Sequence, residues 1–327
     1  MSPEEVTPPA APRILAWRLG DDLQVKSVPW RECIESPGTC SWIHVERVDG
    51  ASTTAHLAHE FGFPEAAAKD AAFGHVRTGI DHRNGSYGFV LPFLEEHPAG
   101  EFKNVGFLVR KGLVVTVAEG IPDRLAAVKE DWIDDPDDIG PNISKLIHSM
   151  LDANIDGFYP YIDDLQDQIE KLEDTIFESN KPDPEQALAL KRSLLEARRE
   201  LAPSRDVLSA LLRHGAPCVS AEHAPDYQDL IQHILRLIDG IDLGRDILSS
   251  IMDAQLSVVS NRLNEVMRTL TVISTLMMAC SLIAGIYGMN FTHMPELKWY
   301  FGYPFALFMM AAVCGLILII FRKRGWY

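Results

Sequence analysis

Two long runs without a charged residue lie near the C-terminal end of the chain, and they constrain its fold more than any other feature. The first is 19 residues long, from Thr269 to Tyr287, and the second is 22 residues long, from Tyr300 to Phe321. A helix of about 20 residues crosses the ~30 Å hydrocarbon core of a bilayer. The sequence therefore predicts a membrane protein with two transmembrane helices.

The charges beside these runs predict how the chain is oriented. Arg322, Lys323 and Arg324 follow the second run directly, and Arg262 and Arg268 precede the first. Lys and Arg are enriched on the cytoplasmic side of membrane helices. We therefore expect both termini in the cytoplasm and the chain in the cytoplasmic (inner) membrane. The predicted segments are transmembrane helix 1 at 269–287, an extracytoplasmic loop at 288–299, transmembrane helix 2 at 300–321 and a basic cytoplasmic tail at 322–327.

Composition excludes several classes of function. The net charge of −16 over 327 residues disfavours a nucleic-acid partner, because phosphate binding needs excess positive charge. The five cysteines are scattered without a CxxC pair, so neither a disulfide framework nor a structural zinc site is indicated.

Residues 1–12 carry acid and proline where a signal peptide needs basic and apolar residues, and we expect them to be disordered. No nucleophile–base arrangement, phosphate loop or metal-hydrolase motif occurs, so no enzyme is expected.

The segment 13–142 has the pattern of a mixed α/β domain, which we expect in the cytoplasm. Short β-branched and aromatic runs alternate with Ala-rich helical segments. The turn Lys111-Gly112 joins the last two runs as a hairpin. The predicted strands span 13–20, 22–28, 41–48, 85–94, 102–110 and 113–118, and the predicted helices span 52–62, 64–74 and 121–133.

Long helices are predicted from about Ile143 onward. Seven apolar residues repeat at steps of three and four and form one seam: Ile155, Phe158, Ile162, Leu165, Ile169, Leu172 and Ile176. Residues 180–184 break this helix, and a second begins near Leu190. We therefore predict an acidic, antiparallel helical hairpin over 143–224. Its many acids indicate either a solvated face or a surface that attracts cations.

A third helix is predicted to run from Pro225 to Tyr287 without a break. It would contain a cytoplasmic stalk at 225–268 and then the first span, about 95 Å in all. One of its faces carries small, polar or thioether side chains at steps of three or four: Asn264, Met267, Thr271, Ser274, Met278, Ser281 and Gly285. Such a stripe packs against another helix or faces water. Two spans cannot enclose a pore, so a pore would require several copies of the chain around an axis.

Motifs around the first span resemble those of a known family. Tyr287-Gly288-Met289-Asn290 ends the span, Met294-Pro295-Glu296-Leu297 follows it, and Tyr303-Pro304 opens the second span. A bare Gly-Met-Asn recurs by chance, but its position between two C-terminal spans is highly specific. The chain resembles the CorA family of magnesium and cobalt channels, closely over its last hundred residues and only in layout over residues 1–140.

The resemblance implies a funnel-shaped homopentamer in which five copies of the long helix line a pore for Mg²⁺ and Co²⁺ uptake. The selectivity filter would consist of Tyr287, Gly288, Met289 and Asn290, with Glu296 in the extracytoplasmic loop beside it. Met267, Leu270 and Met278 match the family's apolar gate. The full set of implied pore and gate positions is Asp253, Asn264, Met267, Leu270, Ser274, Met278, Ser281 and Gly285. Ala279 and Cys280 stand where many relatives have a proline.

The resemblance also implies that intracellular divalent ions close the pore. Asp229 matches a stalk aspartate that binds such an ion, and Glu95 and Glu96 are candidate partners from the next subunit. Mg²⁺ would then be both transported and regulatory, with Co²⁺ or Zn²⁺ also possible. His56 and His59 have the spacing of a two-ligand site but lack a third ligand, which favours an ordinary helix surface.

Two alternatives are open. A proton-coupled Zn²⁺ transporter of the same architecture predicts transport that depends on a pH gradient. A membrane-anchored sensor or scaffold predicts no ion flux and tolerance of Asn290→Ala. Divalent-ion uptake into vesicles distinguishes all three.

Overall fold

The structure, a computed structural model, describes residues 12–38, 40–75, 80–83, 85–95, 100–179, 184–214, 219–289 and 299–326. For 176–179 and 214 it describes the backbone only. The chain divides into two compact units, 1–249 and 250–327. The predicted disordered segment 1–12 lies outside the described residues apart from Pro12.

A mixed β-sheet organises the first unit. Its described strands follow the order β2-β1-β3-β7-β6-β5-β4. β3 and β7 pair in parallel, and every other neighbouring pair is antiparallel. Gly112, with φ of +76°, makes the predicted turn between β6 and β7. The strands are β1 (Ile14–Leu19), β2 (Val25–Ser27), β3 (Ser41–Glu46), β4 (Asp81–Arg83), β5 (Ser86–Leu94), β6 (Phe102–Arg110) and β7 (Leu113–Ala118).

Short helices cover one face of this sheet. They are α1 (Trp30–Glu35), α2 (Gly50–Ala55), a π-helical turn (His56–Glu60) and α3 (Glu65–Phe73). Leu57, Phe61 and Ala68 from these elements pack with Ile43 and Val115 of the sheet in one buried cluster. Every residue of β5 and β7 is buried, so the opposite face is covered as well.

Longer helices follow, and part of them covers that opposite face. The side-chain amide of Asn154 donates to the carbonyl oxygen of Pro92 at 3.0 Å, which ties α6 to β5. The helices are α4 (Asp123–Asp134), α5 (Pro136–Ile139), α6 (Ile143–Ser179), α7 (Pro184–His214), α8 (Ala224–Tyr287) and α9 (Gly302–Lys323).

The predicted apolar seam of α6 is buried. Six of its seven residues are described and buried: Ile155, Phe158, Ile162, Leu165, Ile169 and Leu172. The side chain of Ile176 lies outside the described residues, and so do residues 180–183 of the predicted break at 180–184. Leu190, Leu194, Ala197 and Leu201 of α7 are buried too. α7 begins at Pro184, earlier than predicted, because proline suits the first turn of a helix.

The continuity predicted for α8 is confirmed, since it runs unbroken for 64 residues. Gly240 and Gly244 do not interrupt it. A Cβ atom at Gly244 would lie 3.3 Å from Cδ1 of Ile169 and 3.4 Å from Cδ1 of Leu194. These glycines therefore allow the first part of α8 to approach α6 and α7 closely.

Two described helices, α8 and α9, are long and apolar enough to cross a membrane. Only 11% of the most apolar window of α8 and 6% of that of α9 is buried. Buried core helices of a soluble protein would show the opposite pattern. The fold predicted from the sequence, an α/β domain followed by long helices and two apolar C-terminal helices, is confirmed.

Candidate ion pathway and metal site

One face of the first predicted span is partly covered within the second unit. Val272 is buried, and Leu276, Cys280 and Ile283 are half-buried, at steps of four, four and three. Sγ of Cys280 lies 3.3 Å from Sγ of Cys314 in α9. This face of α8 is therefore the one that meets α9.

The predicted pore stripe of small, polar and thioether side chains from Asn264 to Gly285 lies on the remaining surface of α8, except that Thr271 is half-buried. Met267 is 58% exposed, Leu270 56% and Met278 68%. Asp253, Asn264, Ser274, Ser281 and Gly285 are exposed as well. Amide and hydroxyl side chains such as those of Asn264, Ser274 and Ser281 gain little from contact with lipid, so this surface is better suited to protein or water beside it.

The helix ends where the predicted filter begins. The amide of Gly288 donates to the carbonyl oxygen of Ala284 at 2.9 Å, and the amide of Met289 donates to that of Ile286 at 3.3 Å. Tyr287 is half-buried, and Gly288 and Met289 are exposed. The C-terminal end of a helix carries partial negative charge on its carbonyl groups, which attracts cations. Asn290 and Glu296 lie outside the described residues.

A possible metal site lies in the first unit, between α6 and α8. Ligand atoms of Asp152, Asp156 and His233 all lie within 4.8 Å of one another. Nδ1 of His233 is buried without a hydrogen-bond partner. Burial raises the pKa of Asp152, and the neighbouring Asp156 carboxylate raises it further. A bound cation would satisfy the histidine and offset the repulsion between the carboxylates.

Sequence reasoning missed this cluster. Asp156 was counted only as one acid of the α6 face, and Asp152 and His233 were not singled out. The one sequence feature that could have revealed the cluster is the spacing of Asp152 and Asp156, which lie one helical turn apart on α6. The predicted regulatory residue Asp229 is exposed one turn before His233 on α8.

The other predicted regulatory residues are placed differently. Glu95 is 5% exposed and pairs with Nζ of Lys103 at 3.3 Å. Burial raises the pKa of Glu95, and Lys103 lowers it in part. Glu96 lies outside the described residues. The expected ion between Asp229 and a neighbouring subunit stays a prediction.

The remaining candidate residues, two histidines and the acids of α6, have the contacts and exposure of ordinary surface residues. Nδ1 of His56 lies 3.3 Å from Oε1 of Glu60. Within the described part of the chain, neither His56 nor His59 belongs to a group of three possible metal ligands. On α6, Asp163, Asp164 and Asp167 are exposed, as a solvated acidic face requires.

Comparison with known proteins decides the family. The family profile described as "CorA-like Mg2+ transporter protein" matches residues 38–323. The chain belongs to this family. The resemblance inferred from the Gly-Met-Asn motif and its flanking segments is thus confirmed.

Individual CorA proteins are similar along most of the chain. The cobalt/magnesium transport protein CorA of Thermotoga maritima is 31% identical over 294 residues, which are 88% of this chain and 84% of that protein. The protein of the same name from Methanocaldococcus jannaschii is 28% identical over 230 residues, 68% of this chain and 71% of that one. The family comprises ion transporters, which agrees with the expectation that the chain is not an enzyme.

Solved structures share the fold. The complete CorA magnesium transporter of Methanocaldococcus jannaschii has a TM-score of 0.80 at 21% identity and covers 96% of this chain and 98% of its own. The cytoplasmic domain of ZntB from Vibrio parahaemolyticus has a TM-score of 0.63 at 12% identity and covers 76% of this chain and 97% of its own. At these identities the likeness concerns the fold alone.

Proposed function

We propose that this CorA-family chain takes up divalent cations, chiefly Mg²⁺ and also Co²⁺, across the cytoplasmic membrane with both termini in the cytoplasm. The observation that carries the proposal is the open stripe of α8, from Asn264 to Gly285, which leads to Gly288 and Met289 at the helix end. The CorA relatives are named as transporters of magnesium and cobalt. The bilayer and the cations are the partners that this function requires.

The pathway requires several copies of the chain. Two spans cannot surround a pore, so one stripe from each of several subunits must face a common axis. α8 also exposes large apolar side chains before the first span: Leu256 is 70% exposed, Leu263 61% and Val266 58%. A contiguous apolar surface of this kind is typical of a protein interface. We infer the homopentamer that the family resemblance implies.

The proposed filter binds the ion through its water. Mg²⁺ demands near-octahedral geometry and gives up water reluctantly. A ring of Asn290 carboxamides, with carbonyl groups near Gly288, accepts hydrogen bonds from that hydration shell without the tight hold of a carboxylate ring. The negative end of each α8 dipole adds to the attraction.

The proposed gate lies further along the same helices. Rings of Met267, Leu270 and Met278 side chains empty a narrow pore of water, and a hydrated ion then meets a large desolvation cost. Asn264 and Asp253 lie one and four turns before Met267 on α8. Polar and charged rings there concentrate cations at the cytoplasmic end.

We assign a regulatory divalent site to Asp152, Asp156 and His233, with Asp229 one turn away. Oxygen ligands suit Mg²⁺, and imidazole suits Co²⁺ and Zn²⁺. A site on the cytoplasmic side is filled when internal cation is abundant. By the regulation that the family resemblance implies, its occupancy then holds the closed state and gives negative feedback.

Thermal unfolding of the full-length protein with and without Mg²⁺ or Co²⁺ tests the regulatory site. A cation that binds only the folded state raises Tm. We expect that rise in wild type and in the control Asp163→Asn, which makes the same charge change on the exposed face of α6. Asp152→Asn and His233→Ala should lose most of it. An equal rise in all four proteins would contradict the assignment.

Uptake into vesicles tests the transport function. Purified protein in phosphatidylethanolamine–phosphatidylglycerol vesicles is supplied with Mg²⁺, Co²⁺ or Zn²⁺, with and without a pH gradient. We expect Mg²⁺ and Co²⁺ uptake independent of the gradient and strongly reduced by Asn290→Ala. Gradient-dependent Zn²⁺ uptake would instead favour a proton-coupled zinc transporter. Uptake of no ion would leave the sensor or scaffold alternative.

A further inference from the structure

The fold brings together two cysteines, Cys280 of α8 and Cys314 of α9, that are far apart in the sequence. Cys280 and Cys314 are 34 positions apart, and their Sγ atoms lie 3.3 Å apart. Both are free thiols and both are half-buried. Each lies inside one of the two uncharged runs, Cys280 in 269–287 and Cys314 in 300–321. Among the described cysteines, Cys33 and Cys40 are buried in the first unit and belong to a different environment.

The surrounding surface shows that this contact lies on the face where α8 and α9 meet. On α9 the buried or half-buried positions are Gly302, Ala306, Met309, Met310, Val313, Cys314, Gly315, Ile317 and Phe321. Six of them, Gly302, Ala306, Met310, Cys314, Ile317 and Phe321, recur at steps of four, four, four, three and four, which is one face of a helix. The other three lie directly beside members of that face. The covered face of α8 contains Cys280 in the same way. The two thiols therefore face each other across the contact between the spans of one chain.

A disulfide requires a sulfur–sulfur distance of about 2.0 Å, so the two atoms need to approach by little more than 1 Å. We propose that Cys280 and Cys314 are an oxidisable dithiol whose disulfide ties the two spans of a subunit together. The transport consequence below rests on the proposed function.

The oxidant that the reaction requires is hydrogen peroxide, a small uncharged molecule. One thiol attacks the peroxide oxygen, the O–O bond breaks, and a sulfenic acid and one water form. The second thiol displaces the hydroxyl of the sulfenic acid, which leaves as a second water while the S–S bond forms. Both thiol protons end in water, the sulfurs lose two electrons in total, and the peroxide gains them.

The disulfide affects transport because Cys280 lies two residues after the gate residue Met278. Widening the gate requires α8 to move relative to its surroundings, and a covalent bond to α9 removes that freedom. The oxidised protein should therefore lose most of its Mg²⁺ uptake. Reduction with dithiothreitol should restore it.

The first measurement is chemical. Full-length protein in lipid vesicles is treated with hydrogen peroxide, the remaining thiols are alkylated, and peptides are analysed by mass spectrometry without reduction. We expect the peptides that contain Cys280 and Cys314 to be linked, with the loss of two hydrogens. Alkylation of both thiols after oxidation, or links from either cysteine to another copy of the chain, would overturn the proposal.

The second measurement is Mg²⁺ uptake by the same vesicles. Peroxide should lower uptake in wild type and leave Cys314→Ser unaffected, because serine cannot form the bond. Equal inhibition of both proteins, or an unchanged rate in fully linked wild type, would overturn the effect on transport. If the reduced protein takes up no Mg²⁺, the proposed function fails, while the peptide link still decides the dithiol separately.

Discussion

His44 shows how one buried side chain contributes to the acid sensitivity of the first unit. It is fully buried in β3, and its Nδ1 lies 2.9 Å from Oγ1 of Thr116. The same hydroxyl accepts a hydrogen bond from Nε1 of Trp42 at 2.8 Å, so its own proton is available to His44. Burial lowers the pKa of His44 to about 4. The imidazole is therefore neutral in the folded protein at neutral pH.

This shift predicts a loss of stability in acid. Between pH 6.5 and about 4 the unfolded chain binds a proton at His44 that the folded chain does not, so stability falls as pH falls, by about 3 kcal/mol over the window. His44→Gln should flatten the dependence of Tm on pH, whatever its effect on Tm at neutral pH. The exposed control His59→Gln should keep the wild-type slope. Parallel slopes in all three proteins would contradict this explanation.

At the scale of elements, two glycines allow α3 to lie directly on the sheet. A Cβ atom at Gly106 in β6 would lie 2.6 Å from Cα and Cβ of Ala71 in α3, and one at Gly88 in β5 would lie 2.8 Å from Cβ of Ala67. Both distances are too short for ordinary contact. The helix and the sheet therefore approach each other as backbone against small side chains.

Gly106→Ala should displace α3 and destabilise the protein by about 2 kcal/mol, the usual cost of overpacking. Chemical or thermal unfolding of the full chain measures the loss. Gly315→Ala is the control, because no atom other than those of its chain neighbours and its own helix backbone lies within 4 Å of a Cβ built there. Unchanged stability in the Gly106 variant would show that the helix adjusts freely.

The proposed gate on α8 leads to a second prediction at the level of single helices. Met278→Ser replaces an apolar ring of the proposed gate with a hydroxyl ring that water wets, so uptake at high internal Mg²⁺ should rise. Met277→Ser is the matched control, since Met277 is 63% exposed but lies outside the stripe. Flux assays in vesicles loaded with Mg²⁺ compare the two. A larger rise in the Met277 variant would place the pathway on another face.

Elements with strong periodicity could be predicted from the sequence. The spans, the α6 seam and the continuity of α8 depend on local patterns of apolar residues. α1, β4 and α5 were missed, because each has six residues or fewer and shows no period. The Asp152–His233 cluster and the Cys280–Cys314 contact depend on how distant helices pack, which no local pattern encodes.

For the whole molecule, a pore along the α8 stripe requires self-association. Native mass spectrometry of the protein released from lipid nanodiscs should give five times the mass of one chain. The exposed apolar residues of α8 and the open stripe are the surfaces that the other copies would cover. A protein that takes up Mg²⁺ and yet has the mass of one chain would contradict the pentamer.

The claim that ions pass along the stripe is tested most directly by reagent access to it. Cysteine is introduced by Ser274→Cys, or by Ile273→Cys as a neighbouring control, into a Cys280→Ser, Cys314→Ser background. Vesicles are then treated with a cationic methanethiosulfonate. We expect the reagent to abolish Mg²⁺ uptake in the Ser274 variant and to spare the Ile273 variant. Unaltered uptake in the Ser274 variant, with block in the Ile273 variant, would contradict it.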